Sequence, residues 1–198
     1  MLDKSVEYFH VLMHREKGLP IPPGKLPGGY RIVLFKPGDE KDWAEIETSV
    51  GEFEDTDEAG EYFGRKYLVY LPELERRALF VETPEGRKCA TATAWWSYTG
   101  IRRDPWLHWV SVKPEEQGKG LGKAIVCETL RLMTAIEGER DFYLHTQTWS
   151  YKAIGIYLKC GFRISRTDGL GGYWNEYKQA LPILKRKLAP DISATGLF

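Results

Sequence analysis

Val112-Lys113-Pro114-Glu115-Glu116-Gln117-Gly118-Lys119-Gly120-Leu121-Gly122-Lys123 is the stretch that decides the fold. Ahead of its turn lies WLHWVSV, residues 106–112, rich in β-branched and aromatic side chains and read as a strand. Behind it, Leu121, Ile125, Leu132 and Ile136 recur at helical spacing. A strand therefore runs into a long helix through glycines at 118, 120 and 122. Glycine lets a backbone approach a ligand closely. The first N–H groups of a helix have no internal partner, and the helix dipole makes that end partially positive. An anion, most naturally a phosphate, is the expected guest, with Lys119 and Lys123 adding positive charge nearby.

Spacing narrows the ligand. A P-loop needs GxxxxGK[ST], but Lys123 stands five residues after Gly118 and Ile125 stands where Ser or Thr is required. A dinucleotide fingerprint needs GxGxxG, and from either Gly118 or Gly120 the third glycine is missing. What fits is Gln-x-x-Gly-x-Gly, formed by Gln117, Gly120 and Gly122. In this the chain resembles the GNAT superfamily of acyl-CoA-dependent N-acyltransferases, whose signature is [Gln/Arg]-x-x-Gly-x-[Gly/Ala] between a strand and a helix. A second stretch strengthens the resemblance. Ala153-Ile154-Gly155-Ile156-Tyr157-Leu158-Lys159-Cys160-Gly161-Phe162 holds a similar Tyr-x-x-x-Gly-Phe, Tyr157 to Phe162, at a separation that suits one helix, one strand and one more helix. The resemblance spans roughly residues 30–180.

The resemblance implies an α/β (α+β) fold: a mixed, mostly antiparallel sheet flanked by helices, with its fourth and fifth strands splayed apart. Those strands are Leu107–Val112 and Tyr143–Thr148. It further implies that the backbone of Val110, Ser111 and Val112 pairs with the pantetheine arm of acetyl-CoA. Gln117 and the amides of Gly118, Lys119, Gly120, Leu121, Gly122 and Lys123 would hold the pyrophosphate. Tyr157 would protonate the leaving thiolate. Family bases often lie nine or eleven residues before the motif's Gln, here His108 and Trp106; Trp cannot be a base, so His108 is the candidate, with His145 a rival on the next strand. The oxyanion donor would be a backbone N–H of the same strand. Many members carry Asn-x-x-Ala before the last helix; here Ser150 precedes Ala153, and serine can cap the helix or bond a pantetheine carbonyl.

Outward from these motifs, Arg31–Phe35 reads as a strand and Asp39 onward as a helix through Trp43 and Ile46. A second helix begins near Asp55, where Asp55-x-x-Glu58 has the form of a capping box, and carries Tyr62 and Phe63 inward. Ala78–Glu82 and Arg87–Tyr98 flank TPEG and suggest a hairpin; TGIRRDP, residues 99–105, reads as the next turn. Residues 141–149 read as a strand and 151–160 as a helix, while Pro182 disfavours an uninterrupted helix further on. At the start, residues 4–14 pattern as a short amphipathic helix with Val6, Phe9 and Met13 on one face. Residues 18–29, GLPIPPGKLPGG, are a connector. Residues 1–29 are thus expected as an appendage and 30–198 as the transferase domain.

Composition bounds the partners. Lys plus Arg is 28 and Asp plus Glu is 28, so the net charge is zero and gives no global pull toward nucleic acid or an anionic membrane. Cys89, Cys127 and Cys160 form no CxxC pair, so neither a disulfide framework nor structural zinc is expected. No metal, nucleic acid or membrane is expected; a cytoplasmic location is, and a homodimer stays open. The resemblance implies an acceptor that is a primary amine of a small molecule or peptide, and a carboxylate cluster could attract a cationic one such as a polyamine or an aminoglycoside. Trp43, Glu47, Glu52, Phe53, Glu54, Asp55 and Asp57 lie where the family walls its acceptor site, but such acidic runs are more often solvated, and the aromatics Trp95, Trp96, Tyr98, Trp106 and Trp109 more often core. A noncatalytic acyl-CoA-binding sensor is the alternative function.

Overall fold

The computed structural model describes residues 2–188. Its strands are β1 (His10–Arg15), β2 (Arg31–Leu34), β3 (Ala78–Glu82), β4 (Lys88–Thr99), β5 (Arg102–Val112), β6 (Phe142–Gln147), β7 (Arg163–Ile164), β8 (Gly169–Leu170) and β9 (Tyr173–Trp174). Its α-helices are α1 (Glu40–Val50), α2 (Thr56–Lys66), α3 (Leu71–Arg77), α4 (Leu121–Glu137), α5 (Tyr151–Lys159) and α6 (Tyr177–Lys187). Seven strands form one mixed, mostly antiparallel sheet in the order β2-β3-β4-β5-β6-β1-β7, and β8 and β9 form a small hairpin. The parallel pairing is that of β5 with β6, which meet at Trp106 and Tyr143.

The chain divides into two compact units, and the division crosses β4 between Ala94 and Trp95 and β5 between His108 and Trp109. The first comprises residues 23–94 and 109–132 with Leu2. Here β2 and β3 pair from Arg31↔Glu82 to Leu34↔Leu79, and β3 pairs with β4 from Ala78↔Thr93 onward. Trp43, Ile46, Phe63, Leu74, Phe80, Ile125 and Leu130 are buried in it. Helix α2 starts as its sequence demands. The Asp55 carboxylate accepts the N–H groups of Asp57 and Glu58, and the Glu58 carboxylate accepts that of Glu54. The proline-rich connector lies on α4: a Cβ at Gly24 would stand 2.8 Å from the Ala124 Cα.

The second unit comprises residues 3–22, 95–108 and 133 onward. It holds the largest departure from expectation. No helix forms over residues 4–14; His10–Arg15 is instead a strand paired antiparallel with β6 along its whole length and with β7 at Met13 and His14. Val11, Leu12 and Met13 are all buried, because a strand with neighbours on both sides and both faces covered buries consecutive residues. Arg15 holds this end in place, donating to the carbonyls of Cys160, Leu19 and Pro20.

Two smaller corrections follow the same physics. The turn expected over 99–105 shrinks to Gly100 and Ile101, with β5 already begun at Arg102. Helix α6 runs through Pro182, where an interruption was expected. Pro182 and Lys178, whose carbonyl loses its partner, are both exposed, so water can satisfy that carbonyl while Ala180, Ile183 and Leu184 hold the helix by burial. All three cysteines are buried and none forms a disulfide among the described residues. Among the described residues no helix is long and apolar enough to cross a membrane.

Candidate functional site

In the first unit, β5 leaves through a turn of 3-10 helix at Pro114–Glu116 and the chain enters α4 at Leu121. Gly118 has φ 80 and Gly120 φ 85, the left-handed conformation that side chains disfavour. A Cβ at Gly118 would meet nothing within 4 Å, and at Gly120 only the Lys25 carbonyl oxygen at 4.0 Å. Glycine here answers to backbone conformation, and both residues are exposed to an incoming ligand. The Gly120 carbonyl accepts the Ala124 N–H at 3.1 Å, the first bond of α4. The N–H groups of Leu121, Gly122 and Lys123 therefore begin the helix without an intrahelical acceptor. The Gln117 side chain donates to the Val112 carbonyl at 2.9 Å and clamps the ends of the turn together.

The flanking charges are more constrained than their sequence suggested. Lys119 Nζ lies 2.7 Å from the Glu116 carboxylate and donates to the Tyr30 hydroxyl at 3.1 Å; that hydroxyl donates to Glu116 at 2.7 Å. The Glu116 bond, then Tyr30, hold the Lys119 ammonium well above its ordinary pKa. Its charge is already engaged, which leaves the half-buried Lys123 on the first turn of α4 as the other basic group.

Also in this unit, Ser111 is buried, and its hydroxyl donates to Glu47 Oε2 at 2.7 Å. Glu47 is 0% exposed, and burial pushes its carboxyl up to about 8 against the opposing effect of the Ser111 bond, with the Glu52 charge pushing the same way as burial. The reading of this acidic stretch as solvated holds for Glu54, Asp55 and Asp57 but fails for Glu47. Trp109 has φ 50, the one positive value at a non-glycine residue among the described residues, so β5 is locally kinked there. Its indole packs against Trp43 (5.2 Å between ring centroids), Tyr62 (5.3 Å) and Phe53 (5.5 Å).

The second unit carries the proton-handling candidates. Tyr157 lies on α5, 6% exposed, its ring edge-on to Phe162 at 6.0 Å. His108 is half-buried on β5. Desolvation pushes its imidazole down to about 3, helped by repulsion from His145, which burial and His10 bring to about 4. His145 Nε2 and His10 Nδ1 are 2.9 Å apart, and Tyr173 stacks on His145 at 4.5 Å. The histidine series on β5, β6 and β1 was half hidden in the sequence, because His10 fell in the segment read as helix. Ser150 precedes α5 but makes no side-chain cap. Its φ of -95 and ψ of 27 are not the extended values a capping residue adopts, and its hydroxyl instead accepts from Gln147 at 3.2 Å.

These pKa values set a pH dependence of stability. His145 binds its proton near 6.5 when unfolded but near 4 when folded, so acid favours the unfolded chain. Stability from this residue is complete above about pH 6.5 and is lost as pH falls toward 4. A His145→Gln variant should lose less stability between pH 7 and 4 than the parent, by on the order of 2 kcal/mol, in urea unfolding at each pH. Parallel losses would show that His145 does not titrate in that window.

A strand, a glycine turn and a helix start within a mixed sheet define an α/β protein, and a helix start of this kind suits an anion. Residues 40–162 match the sequence model of the Acetyltransferase (GNAT) family, and the chain belongs to that family. Among solved structures it is similar to a GCN5-related N-acetyltransferase from Sphaerobacter thermophilus (20% identity, TM-score 0.63, 80% of this chain and 49% of that one). It is similar also to a GNAT-family acetyltransferase from Novosphingobium aromaticivorans (22%, 0.52, 81% and 62%). A third is glucosamine-6-phosphate N-acetyltransferase from Arabidopsis thaliana (16%, 0.50, 74% and 99%). These likenesses are of fold. The chain spans about half the length of the first structure it matches. No curated protein sequence matches it.

Proposed function

We propose that the chain is an N-acetyltransferase that moves an acetyl group from acetyl-CoA to a primary amine by direct attack. The observation that carries this is the turn at Gly118–Lys123: left-handed glycines at 118 and 120 running into a helix start, in a chain of the GNAT family. Those amides would take the pyrophosphate, Gln117 would keep the turn closed, and the Val110–Val112 backbone would pair with pantetheine.

The reaction balances simply. The amine nitrogen attacks the thioester carbonyl, the C–S bond breaks, the nitrogen loses a proton and the thiolate gains one. An acceptor amine, with a pKa near 10.4, must first lose its extra proton. His108 is neutral at physiological pH and so able to accept it. With a pKa near 3 it is a weak base toward that ammonium and holds the proton only in passing. Tyr157 would supply the proton to sulfur. Ser150, bonded to Gln147, would reach pantetheine only by its remaining hydrogen-bonding capacity. A cytoplasmic location, with acetyl-CoA as cosubstrate and no metal, completes the reading.

The test is calorimetric titration with acetyl-CoA, followed by thiol release against a panel of amines. Saturable binding with amine-dependent release of coenzyme A is the expected result. Binding without release to any amine would favour the acyl-CoA sensor, and absence of binding would overturn the assignment from Gln117 onward.

A further inference from the structure

Two buried polar atoms on one face of α1 lack a partner among the described residues: Trp43 Nε1 and Glu47 Oε1. They are one helical turn apart and so lie on the same side of the helix. Buried polar groups are almost always hydrogen-bonded, and an exception marks a place where water or a ligand completes the set. Around Trp43 the first unit packs five aromatic side chains, Phe53, Tyr62, Phe63, Tyr67 and Trp109. Trp43 is fully buried; Phe53, Tyr62 and Trp109 are half-buried and so reach the surface. Phe53 and Tyr62 stand 5.5 Å apart, Tyr62 lies parallel to Trp43 at 6.3 Å, and Trp109 packs against all three. Ser111, two residues beyond Trp109 on β5, ties Glu47 to that strand through Oε2 and leaves Oε1 over.

We propose that Glu47, Trp43, Phe53, Tyr62 and Trp109 form the acceptor subsite, and that the acceptor is a primary amine carried on an aromatic body. This rests on the transferase reading and names its substrate class. The chemistry selects that class against the alternatives. Ring faces bind flat apolar groups and attract cations, and a carboxylate with one oxygen spare takes an ammonium. An amino sugar would leave most of its hydroxyls against hydrocarbon without partners. A linear polyamine would cover little of the ring faces.

Glu47 also suits an amine that has to shed a proton. Its carboxyl sits near 8, between an ordinary carboxylate and an ammonium, with Ser111 and Glu52 the groups that act on it. A bound ammonium draws it to the ionised form, so binding should strengthen as pH rises from about 6 to 8.

The test is calorimetric titration of the protein with 2-phenylethylamine, with and without saturating acetyl-CoA. The expected result is saturable binding that Glu47→Gln weakens at least about tenfold, while 2-phenylethanol, which lacks the charge, is affected little. Tyr62→Leu, at a half-exposed position, should weaken 2-phenylethylamine more than hexylamine, and it stands in if Glu47→Gln does not fold. Absence of binding, or equal binding by Glu47→Gln, overturns the proposal. Thiol release with glucosamine or putrescine but not with 2-phenylethylamine overturns it too, and leaves the transferase reading intact. Failure of acetyl-CoA itself to bind strikes the transferase reading instead, while the amine titration still decides whether the subsite exists.

Discussion

Replacing Gly120 by valine should leave the protein folded and raise the dissociation constant for coenzyme A at least about tenfold, for a cost of ~1.4 kcal/mol or more. The argument is local. Gly120 has φ 85, and a Cβ there would approach no atom closer than 4.0 Å, so the fold does not clash with the new side chain. What suffers is the backbone: a β-branched residue held at this φ costs roughly 1–3 kcal/mol, and relaxation to negative φ turns the peptide units on either side. Those are the units whose N–H groups would face the proposed pyrophosphate. Gly138, at the other end of α4, is a fair control, since its φ is 74 and its Cβ would also meet nothing within 4 Å. Gly138→Val should lose comparable stability and keep its affinity. If both variants bind alike in calorimetry, the turn does not hold the phosphates.

The same turn shows which parts of the protein are legible without coordinates. Its meaning is carried by neighbours in sequence: glycines, a capping end and a helical repeat, all within a dozen residues. The elements well ahead of it, α1, α2 and β3, are likewise set by local signals such as the Asp55 cap. β1 was not. His10–Arg15 pairs with residues 142–147, over a hundred positions away, and Val11, Leu12 and Met13 give a continuous apolar run that periodicity cannot assign to strand or helix. Val6, Phe9 and Met13 happened to match the helical spacing.

Glu47 was hidden for a related reason. A glutamate among acidic neighbours reads as solvated unless its partner is known, and Ser111 lies on a distant strand. A sequence also cannot say that a cation is already spoken for. Lys119 beside a phosphate turn looks free until Glu116 and Tyr30 are seen holding it. Tyr30 follows a connector whose shape no periodicity describes. Local chemistry was thus readable where its residues were adjacent, and lost where folding brought the partner.

Tyr157→Phe should lower turnover by at least ~100-fold with unchanged affinity for acetyl-CoA, the scale of losing a positioned proton donor. The substitution is a clean one. The Tyr157 carbonyl accepts the N–H groups of Cys160 and Phe162, both at 3.0 Å, and so ends α5 in either variant. The ring packs on Phe162, a contact that phenylalanine keeps. Only the hydroxyl is removed, and with it the proton proposed for the departing sulfur. A thiolate is a fair leaving group, since thiols ionise near pH 8.5, which places the expected loss toward the low end of general-acid effects. Tyr157→Ala supplies the comparison. It should match the Phe variant in turnover while losing about 3 kcal/mol or more of stability through the cavity it opens. Steady-state thiol release and calorimetry on both variants decide the matter. Equal falls in turnover and affinity would make Tyr157 a wall of the binding site, and unchanged turnover in Tyr157→Phe would leave the leaving thiolate to be protonated by water.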